Sequence, residues 1–209
     1  MIEIPVFTLD AFTNLPFKGN PAAVCPLVQE LNDDLYQKIA AEINLSETAF
    51  ITRLNPSDSF SSENVNPVLV FETKSGDLAV TKQGEGYIMD FPLNPPTQEV
   101  HLKVDPVALQ SSERSGRVKG LILTMKDCQP GYDFYSRYFA PWNGIPEDPV
   151  TGSAHTVLGS YWSEKLGKKK MLAYQCSGRG GELELEVRDD GRINIAGQTV
   201  TVLQGTIRL

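Results

Sequence analysis

One carboxylate stands where an amphipathic helical pattern gives way to an apolar strand pattern. Glu47 lies in residues 44–50, Asn-Leu-Ser-Glu-Thr-Ala-Phe, at that junction. Apolar neighbours strip water from a carboxylate, which raises its pKa and lets it carry a proton near neutral pH. Spacing alone equally allows a solvated loop glutamate or a helix cap at Ser46. Glu47 is therefore a candidate acid/base residue.

A second stretch could bind an anion. Residues 146–155 read Pro-Glu-Asp-Pro-Val-Thr-Gly-Ser-Ala-His and lead into a predicted helix. The first N–H groups of a helix have no partner inside it, so those at Gly152 and Ser153 suit a carboxylate or phosphate. Asp148 could orient a substrate amine or hydroxyl, or relay a proton. An ordinary helix capped by Thr151 explains the same residues.

The third candidate is a turn. Residues 17–21, Phe-Lys-Gly-Asn-Pro, force a tight reversal after a predicted strand. Asn20 could donate a hydrogen bond to a ligand from this turn. Turn chemistry alone also accounts for an asparagine at this position.

Other kinds of chemistry find little support in the sequence. His101 and His155 are the only histidines and lack metal-ligand spacing, and no GxSxG or P-loop motif is present. The glycine-rich residues 177–181 precede a strand pattern, whereas a dinucleotide fingerprint opens a helix. A hydrolase pair of Ser153 and His155 is disfavoured, because residues two apart on a helix point to different faces.

Composition narrows the class of protein. The chain has 209 residues, 41% hydrophobic and 22% charged, and a net charge of −7, which favours a globular protein and disfavours nucleic-acid binding. No apolar run approaches the roughly 20 residues of a membrane span, and the N-terminus lacks a signal-peptide pattern. Three distant cysteines indicate a reducing compartment. We therefore expect a cytoplasmic protein with neither nucleic acid nor membrane as partner.

The elements that would position these candidates indicate an α+β fold. Strands are predicted at residues 2–9, 22–25 and 48–51. One helix is predicted from an Asn32 cap to about Ile43, and another from Gly152 to Leu166 with Gly167 as its stop. Short strands with few helices and no regular βαβ rhythm are typical of this class.

An internal correspondence bears on domain organisation. Residues 76–88 can be laid over residues 181–193 with a constant offset of 105, and each copy reads as a hairpin. Chance similarity between hairpins and a true duplication both explain this. A duplication predicts two related domains, residues 1–113 and 114–209, with a ligand cleft between them.

Three groups of motifs together carry a family resemblance. They are Asp-Ala-Phe-Thr at 10–13 with Phe-Lys-Gly-Asn-Pro-Ala-Ala-Val at 17–24, Leu-Ser-Glu-Thr-Ala-Phe at 45–50, and Arg-Tyr-Phe-Ala-Pro at 137–141 with Glu-Asp-Pro-Val-Thr-Gly-Ser-Ala-His at 147–155. The chain resembles the phenazine-biosynthesis PhzF-like family, and its C-terminal half especially resembles vertebrate members. The resemblance implies the diaminopimelate-epimerase-like fold, in which two similar domains each wrap a curved sheet around a central helix.

The resemblance also implies a function. It is that of an isomerase or epimerase without cofactor or metal, which moves a proton on a small carboxylate substrate. Glu47 would be the proton acceptor and donor, and Asp148 and Ser153 would lie in the substrate pocket with Asn20 and Gly152. The family further suggests a homodimer, and one vertebrate member is named for a WD-repeat protein partner.

The sequence departs from the family pattern at two places. A Gly-His-Ala-Thr motif that opens the central helix of the first domain is missing between residues 66–67 and 68–71, and a second stretch is missing near residues 100–102. Either the chain is genuinely shortened, or the natural protein carries residues absent from this sequence. The loss favours an alternative function, that of a catalytically weak or inactive protein-interaction module.

Overall fold

The computed structural model describes residues 2–55, 66–73, 76–84, 86–92, 104–126 and 130–209. These residues form twelve strands, three α-helices and one 3-10 turn. In chain order they are β1 Glu3–Ala11, β2 Asn20–Leu27, α1 Asp33–Ile43, β3 Glu47–Thr52, β4 Val68–Thr73, β5 Gly76–Gln83, β6 Gly86–Pro92, α2 Pro106–Ser112, β7 Leu121–Met125, β8 Phe134–Ala140, the turn Pro141–Asn143, β9 Ile145–Asp148, α3 Gly152–Leu166, β10 Lys170–Gln175, β11 Gly181–Val187 and β12 Arg192–Arg208.

The strands form one continuous hydrogen-bonded path in the order β3-β2-β1-β12-β11-β10-β8-β7. The 17-residue strand β12 joins its two parts. Its first half pairs with β11 and β6, and its second half pairs with β1. The β2–β3 and β8–β10 pairs are parallel, whereas the other pairs are antiparallel. Strand β12 therefore belongs both to the first sheet, which contains β1, β2 and β3, and to the second sheet, which contains β6, β11, β10, β8 and β7.

Helix α3 is the centre of the larger core. Six of its residues are buried, among them Leu158 and Trp162, and they pack against the inner faces of β10, β11 and β12. The Trp162 ring stacks on Phe134 with centroids 5.6 Å apart. At Gly159 an added Cβ would lie 2.2 Å from Ile193 Cδ1, so glycine lets the strand approach the helix closely. The predicted helix 152–166 and its Gly167 stop are confirmed.

Helix α1 packs against the first sheet. It starts as predicted at Asn32, whose side chain accepts a hydrogen bond from Leu35 N at 2.9 Å. Asn44 ends it in the left-handed conformation with φ 52°. Ile39 is the one fully buried residue of this helix and joins Ile4, Val6 and other residues of β1–β3 in a smaller core.

The α+β prediction is confirmed, and the wrapping of a sheet around a helix is evident at α3. The corresponding central helix of the first domain is not among the described residues, and Val68, Leu69 and Val70 of β4 are exposed. The described part of the chain contains no helix long and apolar enough to cross a membrane.

Both hairpins of the 105-residue correspondence are formed, β5–β6 and β11–β12. Strands β6 and β12 lie side by side, with Met89 opposite Ile195 and Asp90 opposite Asn194. The domain boundary at residues 113/114, between α2 and β7, stays a prediction.

Candidate active site

Glu47 is the first residue of β3, where the sequence placed it. It lies beside Ala22 of the parallel strand β2, across a strand spacing of about 4.8 Å. Solvent reaches its side chain, yet nearby protein removes part of its hydration. This loss of hydration raises the pKa of Glu47, and the negative charge of Asp148 raises it further. The two carboxylates therefore share one electrostatic environment.

Asp148 ends β9 and is only 6% exposed. Burial raises the pKa of its carboxyl group, while a hydrogen bond donated by the Thr151 hydroxyl to Oδ2 opposes the rise. Tyr138 is its partner across the β8–β9 pair. Burial and the charge of Asp148 together raise the pKa of Tyr138. The charge of Asp148 therefore acts on both an acidic group, Glu47, and a phenol, Tyr138.

The first amides of α3 receive no capping hydrogen bond from the N-cap side chain, which leaves them available to a ligand. Thr151 occupies the N-cap position as predicted, but its side chain makes no capping bond and donates to Asp148 instead. Gly152 is half-buried and Ser153 is exposed. The Phe12 ring forms a wall here, with Cζ 3.3 Å from the place where a Cβ on Gly152 would lie. A substitution at Gly152 would narrow access to these amides.

Asn20 also belongs to this region. Its Nδ2 donates to the carbonyl of Val150 at 3.0 Å, so this nitrogen holds the loop before α3, and its donation to a ligand stays a prediction. Its buried Oδ1 has no hydrogen-bond partner among the described residues, and neither has the buried Oγ1 of Thr48, next to Glu47. Both residues can therefore accept a hydrogen bond from a ligand.

His155 has a structural position. Its Nδ1 lies 2.7 Å from the Thr151 carbonyl and its Nε2 lies 3.3 Å from Ser136 Oγ. Complete burial lowers its pKa to about 4, so the ring is neutral at physiological pH. Ser153 is exposed on another face of the helix, which confirms that these two residues form no nucleophile–base pair.

Metal chemistry likewise finds no basis in the described ranges. They hold no group of three or more His, Cys, Asp or Glu side chains that could bind a metal ion. His101 lies outside the described residues.

An ion pair that no sequence pattern predicts ties the turn at residues 17–20 to the second half of the chain. Asp10 of β1 is 2% exposed, and Arg179 Nη2 lies 2.6 Å from its Oδ1. Arg179 Nε also donates to the Gly19 carbonyl at 2.9 Å, and Phe17 N donates to Asp10 Oδ2 at 2.7 Å. The partners are 169 positions apart, and no local pattern in the sequence pairs them.

Two adjoining cavities lie elsewhere, on the face of the second sheet away from α3. Their volumes are about 520 and 530 Å³, and both are lined by Gln83, Ile88, Leu172, Glu184 and Ala196. None of Glu47, Asp148, Gly152 and Ser153 lines either cavity. The candidate site residues are instead linked by the hydrogen bonds of Asn20 with Val150 and of Thr151 with Asp148, and by the effect of the Asp148 charge on Glu47.

Comparison with known proteins identifies the family of this chain. The model of the PhzC-PhzF family, described as phenazine biosynthesis-like protein, matches residues 9–62 and 92–205. This chain belongs to that family. A phenazine biosynthesis-like domain-containing protein of Rattus norvegicus is 41% identical, with 99% of each chain covered. A protein named uncharacterized isomerase from Halalkalibacterium halodurans is 37% identical, with both chains fully covered.

Solved structures of the family share the fold. A phenazine biosynthesis protein of the PhzF family from Enterococcus faecalis superposes with a TM-score of 0.88 at 31% identity, over the full length of both chains. A predicted epimerase from Pseudomonas aeruginosa, at 15% identity and a TM-score of 0.62, shares the fold alone. The chain therefore has the diaminopimelate-epimerase-like fold of the PhzF family.

Relatives contain residues that this chain lacks. The alignment with the rat protein extends over 286 positions, whereas this chain has 209 residues. The family match leaves out residues 63–91, a stretch that includes the place where the Gly-His-Ala-Thr motif is missing. The second expected gap, near residues 100–102, lies outside the described residues.

Proposed function

We propose that this protein is an isomerase or epimerase that uses no cofactor and moves a proton on a small carboxylate substrate. Glu47 removes a proton from carbon and returns it at another position or on the other face. The substrate carboxylate binds the amides of Gly152 and Ser153. One observation carries the proposal: Asp148 interacts electrostatically with Glu47 and is hydrogen-bonded to Thr151, the residue at which α3 begins.

The charges of the site suit this chemistry. A raised pKa keeps part of the Glu47 population protonated closer to neutral pH, so the residue can act in both directions of a proton transfer. Removing a proton from carbon creates negative charge on the substrate. Helix N–H groups directed at such charge commonly contribute a few kcal/mol each to transition-state stabilisation. The open start of α3 provides groups of this kind.

Asn20 supports a ligand at the same place. A buried acceptor without a partner is costly, so such atoms often mark a group that a ligand satisfies. Asn20 Oδ1 is such an acceptor, and its amide nitrogen is bonded to the loop that leads into α3. A substrate with an N–H or O–H group beside its carboxylate would fit both features. Asp148 is a second acceptor for that donor.

The family supports the reaction class. Bacterial relatives at 37% and 34% identity over the full chain are named as isomerases. Isomerisation by proton transfer requires an acid/base group and charge stabilisation, which Glu47 and the α3 amides would supply.

A solvent-exchange experiment tests the proposal. The protein is incubated in deuterated water with a panel of small carboxylic acids that carry an acidic C–H, and deuterium incorporation is measured by mass spectrometry. Glu47→Gln keeps the shape and removes the base, so incorporation should fall by at least a hundredfold, the lower range of general-base contributions of about 10²–10⁴. Glu42→Gln, on the exposed side of α1, is the matched control and should retain the wild-type rate. Unchanged exchange in Glu47→Gln would show that another group moves the proton.

A second function is favoured by one observation, the exposed apolar strand β4. Val68, Leu69 and Val70 are 45%, 39% and 56% exposed, in a region where relatives continue with further residues. An exposed apolar strand suits a protein-interaction module, and a WD-repeat protein is the partner that the family suggests. In a pull-down with such a partner, Val70→Lys should reduce capture while Glu47→Gln leaves it unchanged. The opposite pattern would count against this function.

A further inference from the structure

Gln175, the last residue of β10, has every hydrogen-bonding group of its side chain engaged at the loop before α3. It is 0% exposed. Its Oε1 accepts from Thr151 N at 2.8 Å. Its Nε2 donates to the Asp148 carbonyl at 2.9 Å and to the Thr151 hydroxyl oxygen at 3.1 Å. One buried amide thus spans the segment from Asp148 to Thr151.

The orientation of this amide follows from its partners. Thr151 N–H can only donate, so it requires the oxygen of Gln175. The Asp148 carbonyl can only accept, so it requires the nitrogen. The second Nε2 proton then points at the Thr151 hydroxyl oxygen. That hydroxyl accepts from Gln175 and has its own proton left for the Asp148 carboxylate, to which it donates.

We infer that Gln175 is a positioning residue of the candidate site, which directs the Thr151 hydroxyl to Asp148 instead of to the first turn of α3. This inference rests on the proposed function, because Asp148 matters through its place beside Glu47. Two consequences follow from one orientation. The Asp148 carboxylate is fixed by a hydrogen bond, and the amides at the start of α3 remain uncapped for a ligand.

The ionisable groups that face Asp148 are Glu47 from β3 and Tyr138 from β8. Thr151 and the side chain of Gln175 are neutral. The hydroxyl of Thr151 favours the charged form of Asp148 against burial. Loss of that hydroxyl, or of its orientation, should therefore make Asp148 harder to ionise.

The test follows the Asp148 carboxyl carbon by NMR as a function of pH, in protein labelled with ¹³C at aspartate. The titration midpoint should lie at higher pH in Thr151→Val than in the wild type, and Thr151→Ser should restore it. Gln175→Met should move the midpoint in the same direction. The double variant should lie where Thr151→Val lies, because Gln175 acts through that hydroxyl.

A matched control separates positioning from loosening of the loop. Ser177 Oγ donates to the Pro149 carbonyl at 2.6 Å, within the same loop but outside the Gln175–Thr151–Asp148 chain. Ser177→Ala should leave the midpoint unchanged. An equal shift in Ser177→Ala, no shift in Gln175→Met, or a further shift in the double variant would each overturn the inference.

Gln175→Met buries the Thr151 N–H without an acceptor, so a second measurement avoids that variant. In Thr151→Val, one of the two Gln175 Nε2 proton signals should move and lose protection from exchange, while the other is unchanged. Two unchanged signals would overturn the inference. Neither NMR measurement needs substrate, so a negative result in them leaves the proton-transfer proposal standing. A normal deuterium exchange rate in Glu47→Gln would overturn the proton-transfer proposal and would leave the hydrogen bonding of Gln175 unchanged.

Discussion

At the scale of single residues, the candidate site contains groups whose surroundings in the folded state are energetically unfavourable. Loss of hydration and the proximity of Asp148 both disfavour the ionised form of Glu47. Two buried oxygens, on Asn20 and Thr48, have no hydrogen-bond partner among the described residues. Local strain of this kind is common where function opposes stability. The sequence could place Glu47 and Asp148 at element boundaries, which is where such residues occur.

The raised pKa of Glu47 makes a prediction about stability. The folded state holds the Glu47 proton to higher pH than the unfolded chain, whose glutamates titrate near about 4.3. Folding stability therefore falls as the pH rises from there through the raised pKa of the folded state. Glu47→Gln removes this loss, so its free energy of unfolding should match the wild type at acidic pH and exceed it at neutral pH. Urea denaturation at a series of pH values measures the difference.

The control for this experiment is Glu42→Gln, whose side chain is exposed on α1 and keeps its hydration. It should show no gain that grows with pH. A stability difference between Glu47→Gln and the wild type that stays the same at all pH values would contradict the raised pKa of this carboxylate.

The hydrogen bonds that side chains form within the site could not be predicted from the sequence. The sequence placed Thr151 at the helix N-cap, and the position is right, but a cap residue usually bonds the helix amides. Here a competing acceptor, Asp148, and a donor 24 positions away, Gln175, decide where the hydroxyl points. Such choices depend on tertiary neighbours, and no local pattern reports them.

At the scale of secondary structure, Arg179 and its partners Asp10 and Gly19 form a clasp. This clasp holds the turn before β2 against the loop before β11. Gly19 N donates to the Gly180 carbonyl at 2.8 Å, in addition to the bonds of Arg179 with Asp10 and the Gly19 carbonyl. The turn ends at Asn20, so the clasp also positions the side chain that holds Val150. An ion pair remote from Glu47 thereby supports the geometry of the site.

Arg179→Met should break this clasp. The variant leaves the buried Asp10 carboxylate with the Phe17 amide, 2.7 Å from its Oδ2, as the remaining hydrogen-bond donor among the described residues. Removing one partner of a buried ion pair typically costs about 3 kcal/mol or more. Lys38→Met, which breaks the exposed Asp34–Lys38 pair on α1, should cost only about 0.3–0.5 kcal/mol. Chemical denaturation of both variants checks this, and equal losses would contradict the structural role of Arg179.

The elements themselves were largely predictable where local signals are strong. Asn32 marks the start of α1 and Gly167 marks the end of α3, as predicted, because helix capping depends on residues close in sequence. The alternating pattern in β11 predicted a strand with one buried face, which the structure has. The length of β12 was not predictable, because its two halves pair with different strands and only the tertiary structure shows where one sheet ends.

At the scale of the whole molecule, the candidate site draws on both ends of the sequence. Glu47 and Asn20 come from β3 and β2, whereas Asp148 and α3 come from more than 90 residues later, a separation that a chain can close only by folding. The resemblance of separate motifs predicted that they meet. Asn20 is hydrogen-bonded to Val150, and the charge of Asp148 acts on the Glu47 carboxylate. The missing family segment could be located in the sequence, whereas the exposure of the apolar residues of β4 is seen only in the structure.

The most direct test of the central claim asks whether the acid/base group and the anion site respond to one ligand together. Acetate is titrated into ¹⁵N- and ¹³C-labelled protein, with sodium chloride at equal ionic strength as the control. The Gly152 and Ser153 amide signals and the Glu47 carboxyl carbon should shift with the same apparent Kd, and the Glu47 titration midpoint should rise because a second negative charge is bound nearby. Amides that do not move, or a Glu47 signal that is unaffected while they do, would contradict the account.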